Sequence, residues 1–218
     1  MYVTAGQGDK ASTIIIHKNL LARSLPYLEQ LLQPLAMRPG QEKQHFHLPD
    51  ADPRGMNLFA SWLYGQDISQ IVKGKCFAWS QIRDLARAHV IGQSSYANIK
   101  LFRDSIVSCI IGIVCNSSKL KWLCRTLIAD VYPIAGNTPL KQLCVDVMVW
   151  EDGKDEKRSY LKPTEQSLVA AFKEAERQRD SARKKGVKAP FRVSLCRYHE
   201  HGVDEVCCIR SQDVLEIR

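Results

Sequence analysis

The sequence predicts an α+β protein with its strands gathered near the N-terminus and a mainly helical remainder. Two observations predict this. Strand-like runs at residues 2–5, 13–17 and 44–48 flank a helical signal within the first fifty residues. From Trp79 onward apolar side chains recur almost throughout at three- and four-residue steps. With 218 residues, 45% hydrophobic and 25% charged, the chain has an ordinary globular composition, enough for one domain plus an extension or for two small domains. The longest largely apolar run, 106–115, is about half of the ~20 residues that a bilayer span needs, which excludes an integral membrane helix.

The first two strands are separated by Gly6-Gln7-Gly8-Asp9-Lys10, turn formers that suit a hairpin. This Gly-x-Gly lacks both the dinucleotide fingerprint and a Gly-Lys-Ser/Thr ending, so no nucleotide site is expected. Ser24 is the expected N-cap of a two-turn helix with Pro26 in its first turn and Leu25, Leu28 and Leu32 on one face. In the third strand, alternation places His45 and His47 together on the solvent face, opposite Phe46. Asp52-Pro53 opens a helix in the preferred order of cap then proline, lined by Met56, Phe59, Trp62 and Leu63 and ended by Gly65.

The helical stripes then follow in series. Ile82, Leu85, Ala86 and His89 form the first, closed by Gly92, with His89 read as a hydrogen-bonded core residue. Ile99, Phe102, Ile106, Cys109, Ile110 and Ile113 form a broader one. Leu120, Leu123, Cys124, Leu127, Ile128 and Val131 repeat the pattern, and Thr138-Pro139 begins a helix that turns Leu140, Leu143, Cys144 and Val147 inward. After a charged linker at 151–162, Thr164 caps a long helix carrying Leu168, Phe172, Ala175, Arg179 and Ala182, with Gly186 as its stop. Large apolar anchors occupy only its first half, which predicts a helix docked at one end and projecting at the other. The expected core of residues 1–128 includes Leu20, Phe59, Trp62, Leu85, Ile99 and Ile106.

The formal charge of +8 invites a nucleic-acid reading, but the excess is scattered. Residues 1–128 carry 15 basic and 8 acidic side chains, and residues 129–218 carry 16 and 15. One short cluster stands out, Arg183, Lys184, Lys185, Lys188 and Arg192, which suits phosphate contact or nuclear import; at a helix C-terminus such cations complement the dipole, which favours a solvated face. No basic-then-apolar leader opens the chain. Cys76, Cys109, Cys115, Cys124 and Cys144 sit in apolar, helix-periodic surroundings typical of reduced thiols. A nuclear or cytoplasmic protein is expected.

Several motifs occur in an order that resembles the BTB/POZ family. Ile16-His17-Lys18-Asn19-Leu20-Leu21 with Ser24 and Tyr27 is similar to that family's hydrophobic-x-His-Lys-x-x-Leu…Ser-x-x-Phe/Tyr signature. Leu48-Pro49-Asp50 and Phe59-x-x-Trp62-Leu63-Tyr64-Gly65 resemble its third strand and the following helix, and Asp84-Leu85-Ala86 resembles the helix after that. Asp130-Val131-Tyr132, Thr138-Pro139-Leu140, Val145-Asp146 and the ending Cys196-x-Tyr198-His199-x-His201 look like the stand-alone BTB proteins of filamentous fungi. The resemblance implies a BTB/POZ-like domain at 1–128, a small sheet clad by helical hairpins, and a helical extension at 129–218. For function it implies a non-catalytic scaffold or partner adaptor, with His17 and Lys18 structural at the junction of second strand and first helix. Tyr2 already begins the first hairpin, so the strand exchange of many BTB dimers is not expected and the chain should be a monomer or weak homodimer. Met37-Arg38-Pro39 stands where cullin adaptors carry hydrophobic-x-Glu, which makes a cullin ubiquitin-ligase adaptor the alternative, beside a basic nucleic-acid-associated regulator.

The most chemically suggestive pattern is Cys196-x2-His199-x-His201-x5-Cys207-Cys208. Zinc takes thiolates and imidazoles tetrahedrally, and spacings this short let one loop supply several ligands. Cys196, His199, His201 and Cys207 are the candidate metal ligands, and no cofactor is expected unless zinc occupies this segment. The plainer reading, a hairpin that packs these side chains, is preferred: if 193–201 and 206–210 form a regular hairpin, alternation puts Cys196 and His199 on opposite faces, where no single ion could use both. No catalytic residues are nominated, because no Ser/His/Asp order, paired carboxylates, phosphate loop or cofactor fingerprint occurs in its required setting.

Overall fold

The computed structural model describes residues 1–24, 45–73, 78–93, 99–117, 120–151, 166–201 and 207. The protein is a mixed α+β chain, mostly helical, with one three-stranded sheet. The expected helix over Leu25, Leu28 and Leu32, the cap at Thr164, the 151–162 linker beyond Glu151, Cys76 and Cys208 lie outside the described residues. None of the described helices is long and apolar enough to cross a membrane. Packing divides the chain into two compact units, residues 1–74 with 84–106, and residues 75–83 with 107–218.

The first unit holds the sheet, in order β2-β1-β3. Strand β1 (Tyr2–Ala5) pairs antiparallel with β2 (Ser12–Ile15) and parallel with β3 (His45–Leu48). The turn between β1 and β2 is possible because Gly6 and Gly8 take the left-handed conformation, φ 86° and 57°, which L side chains avoid. Central β1 buries Val3 and Ala5. As alternation requires, His45 and His47 are exposed; His45 stacks on Tyr2 and His47 Nε2 bonds the Gly6 carbonyl at 3.1 Å. A helix absent from the sequence reading, α1 (Lys18–Ser24), follows β2 directly, so Ser24 ends a helix. His17 thus sits at the strand–helix junction. Its amide donates to Tyr64 Oη at 3.0 Å, and its ring Nδ1 shares a second hydrogen bond with the same oxygen at 2.6 Å.

Helix α2 (Pro53–Leu63) starts as expected: Asp52 Oδ1 accepts from the amides of Arg54 and Gly55, and Pro53 occupies the first turn. It ends before Gly65 at φ 74°. Phe59 is fully buried and meets the edge of Phe102 at 5.1 Å. After the short α3 (Ile68–Lys73) comes α4 (Ala78–Gln93), which buries Ile82, Leu85, Ala86 and His89. Gly55 lets α2 approach the α4 backbone: a Cβ there would lie 2.8 Å from the Arg87 carbonyl carbon. Gly92 does not stop α4; it lies within it, and a Cβ would press on Arg103 and Phe102. Its carbonyl accepts from the buried Arg103 guanidinium. Of the expected core, Phe59, Leu85 and Ile106 are buried, whereas Leu20, Trp62 and Ile99 are only half-buried. In α1 the neighbouring Leu21 takes the inward position.

The second unit is built from the later part of α5 (Lys100–Asn116), α6 (Leu120–Thr126) continued by a wider π turn at Leu127–Val131, α7 (Pro139–Glu151) and α8 (Gln166–Lys184). Helix α7 is the centre, burying Leu140, Leu143, Cys144, Val147 and also Asp146 and Met148. Helix α8 ends in a Schellman motif at Gly186 (φ 69°), with Val187 N bonded to Ala182 O and Gly186 N to Arg183 O. Its second half does not project. Arg179 is buried and donates to the Val149 carbonyl at 2.8 Å, Arg183 reaches the Trp150 carbonyl, and Arg192 pairs with Glu151 at 2.8 Å. Cations here meet the carbonyl end of α7, a favourable dipole contact. Apolar periodicity missed this because polar atoms make the contact.

Candidate metal centre

Among the described residues beyond α8, regular structure is limited to two 3₁₀ turns, Pro190–Arg192 and Cys196–Tyr198. Phe191 and Leu195 are buried, and Cys196–Tyr198 makes a single 3₁₀ turn. That turn overturns the hairpin reading of 193–201. In a 3₁₀ turn side chains three residues apart eclipse, so Cys196 and His199 leave the backbone on one side, whereas a strand would have opposed them. The backbone then extends at His199, φ −96° and ψ 157°, and in extended chain the side chains of 199 and 201 share a face. Cys207 completes the group. One ligand atom from each of Cys196, His199, His201 and Cys207 lies within 4.8 Å of every other. His199 Nδ1 is 3.3 Å from Cys207 Sγ, close to the edge of about 3.6 Å that zinc–sulfur and zinc–nitrogen bond lengths give a tetrahedron. The four residues could hold a metal ion.

The turn is held to α7 by a buried polar network. Tyr198 is wholly buried, and its hydroxyl donates to Asp146 Oδ2 at 2.6 Å. Asp146 Oδ1 accepts from Gln142 Nε2 at 2.8 Å, and Arg197 Nε lies 3.7 Å from Oδ2. Burial first, and then the Asp146 charge, push the Tyr198 hydroxyl pKa upward, so it stays a donor. His199 is also buried; burial first, and then neighbouring His201, hold its pKa down to about 4. It is therefore neutral at physiological pH, the state with a lone pair to offer a metal. Its Nε2 is 2.9 Å from Ser108 Oγ on α5. By contrast Cys109, Cys124 and Cys144 are buried away from this cluster, and burial pushes the Cys144 thiol up, making it a packing residue rather than a nucleophile.

All four nominated ligands are thus brought together. The supports Tyr198, Asp146 and Ser108 were not nominated. Their signal was faint: polar residues interrupting otherwise apolar helical faces, as Ser108 does between Val107 and Cys109 and Asp146 between Val145 and Val147. No protein-family model, curated protein or solved structure matches the chain.

Proposed function

We propose that this chain is a non-catalytic protein-interaction module of BTB/POZ type, a scaffold or partner adaptor of the nucleus or cytoplasm, whose C-terminal segment is closed by a structural zinc ion. The observation that carries the interaction reading is the His17–Tyr64 bond pair. It ties the end of β2 to the end of α2, two of the places where motifs resembling the family fall, within a β2-β1-β3 sheet flanked by helices. Two thiolates and two imidazoles favour zinc among the first-row divalent ions. They fill its tetrahedron, leaving no position for a substrate, which suits a structural ion better than a catalytic one.

Affinity capture with the tagged full chain from nuclease-treated extract tests the interaction reading. Near-stoichiometric recovery of a protein that resists nuclease supports it. Recovery of a cullin assigns the adaptor role instead. Binding lost entirely on nuclease treatment, with a steep salt dependence, assigns the nucleic-acid role. Elemental analysis of the purified chain tests the ion, with about one zinc per chain expected.

A further inference from the structure

We propose that Ser108 is the positioning residue of this centre: it fixes His199 in the tautomer that ligates the metal through Nδ1. The inference rests on the zinc reading above. His199 presents its two ring nitrogens to different partners, Nδ1 toward Cys207 Sγ at 3.3 Å and Nε2 toward Ser108 Oγ at 2.9 Å. Nδ1 faces the Cys207 sulfur while Nε2 is taken up by Ser108, so an ion shared with Cys207 would be bound at Nδ1. A neutral imidazole has one N–H and one lone pair. Ligation by Nδ1 therefore puts the proton on Nε2, where Ser108 Oγ accepts it.

Without the ion the opposite arrangement is available, with Ser108 O–H donating to Nε2 and Nδ1–H donating to Cys207. Loading the metal then moves the ring proton from Nδ1 to Nε2 and turns the serine from donor to acceptor, while the two cysteines release their thiol protons to solvent. The histidine itself gains and loses none. Ser108 is well placed for this. It is 3% exposed in the middle of α5, between buried Val107 and Cys109, and it bonds across 91 residues of sequence to His199. A hydroxyl in that apolar position is costly unless it is partnered, and the partner it meets is a ligand. Metal-bound histidines commonly use the second nitrogen in this way, and loss of such a partner costs about 10–100-fold in affinity.

The test measures zinc affinity of the full chain by competition with a chromophoric chelator, beside nitrogen-15 NMR of the histidine rings. Expected are an Nδ1-bound, Nε2-protonated His199 in the zinc-loaded wild type, an affinity about 10–100-fold weaker in Ser108→Ala, and recovery of most of that loss in Ser108→Thr. The visible spectrum of the cobalt-substituted protein should also shift in Ser108→Ala, which a change in packing alone would not produce. Zinc bound with His199 coordinated through Nε2, or an unchanged affinity and tautomer in Ser108→Ala, overturns the role of Ser108 and leaves the centre standing. A wild type that takes up no zinc overturns the centre itself. If Ser108→Ala does not fold, the wild-type tautomer decides alone.

Discussion

The two units each bury a neutral histidine, and they do so by different means. In the sheet-bearing unit, His89 lies within α4; its Nδ1 meets Gln93 one turn on, and burial first, then the Arg103 charge, hold its pKa down to about 3. In the helical unit, His199 is held between Ser108 and Cys207, 91 and 8 residues away in sequence. The first is a local packing solution and the second a convergent one. The same contrast runs through both units. The sheet-bearing unit rests on register, a helix cap, a glycine contact and an aromatic cluster, whereas the helical unit is joined by polar contacts such as Arg179 to Val149 O and Tyr198 to Asp146. Periodicity reveals the former kind of contact and is blind to the latter.

The largest expected effect is metal removal. If zinc clasps the C-terminal segment, chelation or Cys196→Ser with Cys207→Ser should open the exposed Lys188, Arg192 and Arg197 to trypsin while amides of β1, β2 and β3 keep their exchange protection. Equal protease resistance with and without chelator would show that packing alone holds the segment. Next, Phe59→Ala should cost about 3–5 kcal/mol as a fully buried aromatic. Trp62→Ala should cost about 1–2 kcal/mol, because that ring is only half-buried beside Phe59 and Phe102. Denaturant melts of the two variants check the order, and equal losses would place Trp62 in the core after all.

The histidine comparison is sharpened by pH. Unfolded His89 takes a proton below about 6.5, but the folded one does so only near about 3, so between these values the unfolded chain binds more protons. Stability should therefore fall as pH falls through that window, by about 1.4 kcal/mol per unit once well below 6.5, and be unaffected above it. Comparing wild type with His89→Gln in the presence of chelator isolates this contribution, and identical pH slopes would remove it. Smaller again, Tyr198→Phe should cost about 1–3 kcal/mol by depriving buried Asp146 of a donor. Asp52→Ala should cost about 1 kcal/mol through the lost cap of α2; thermal melts rank the pair.

The sequence by itself determined the elements whose signals are local. The three strands, the Asp52-Pro53 start of α2, the inward faces of α4 and α7 and the Gly186 stop all follow from side chains within a few residues of one another, where backbone preference and burial agree. It also named the four candidate ligands, since ligand types and spacing are sequence properties. Only tertiary structure decided whether those ligands converge. A ligand-bearing loop and a regular hairpin were both open to 193–201, and the buried bond from Tyr198 to Asp146, 52 residues away, holds the segment in the turn that puts Cys196 beside His199. Tertiary structure also recruited Ser108 and Arg179, whose partners lie 91 and 30 residues distant. A polar side chain gives no sign in the sequence of which distant group will satisfy it, because that choice is made by the cost of leaving either one buried alone.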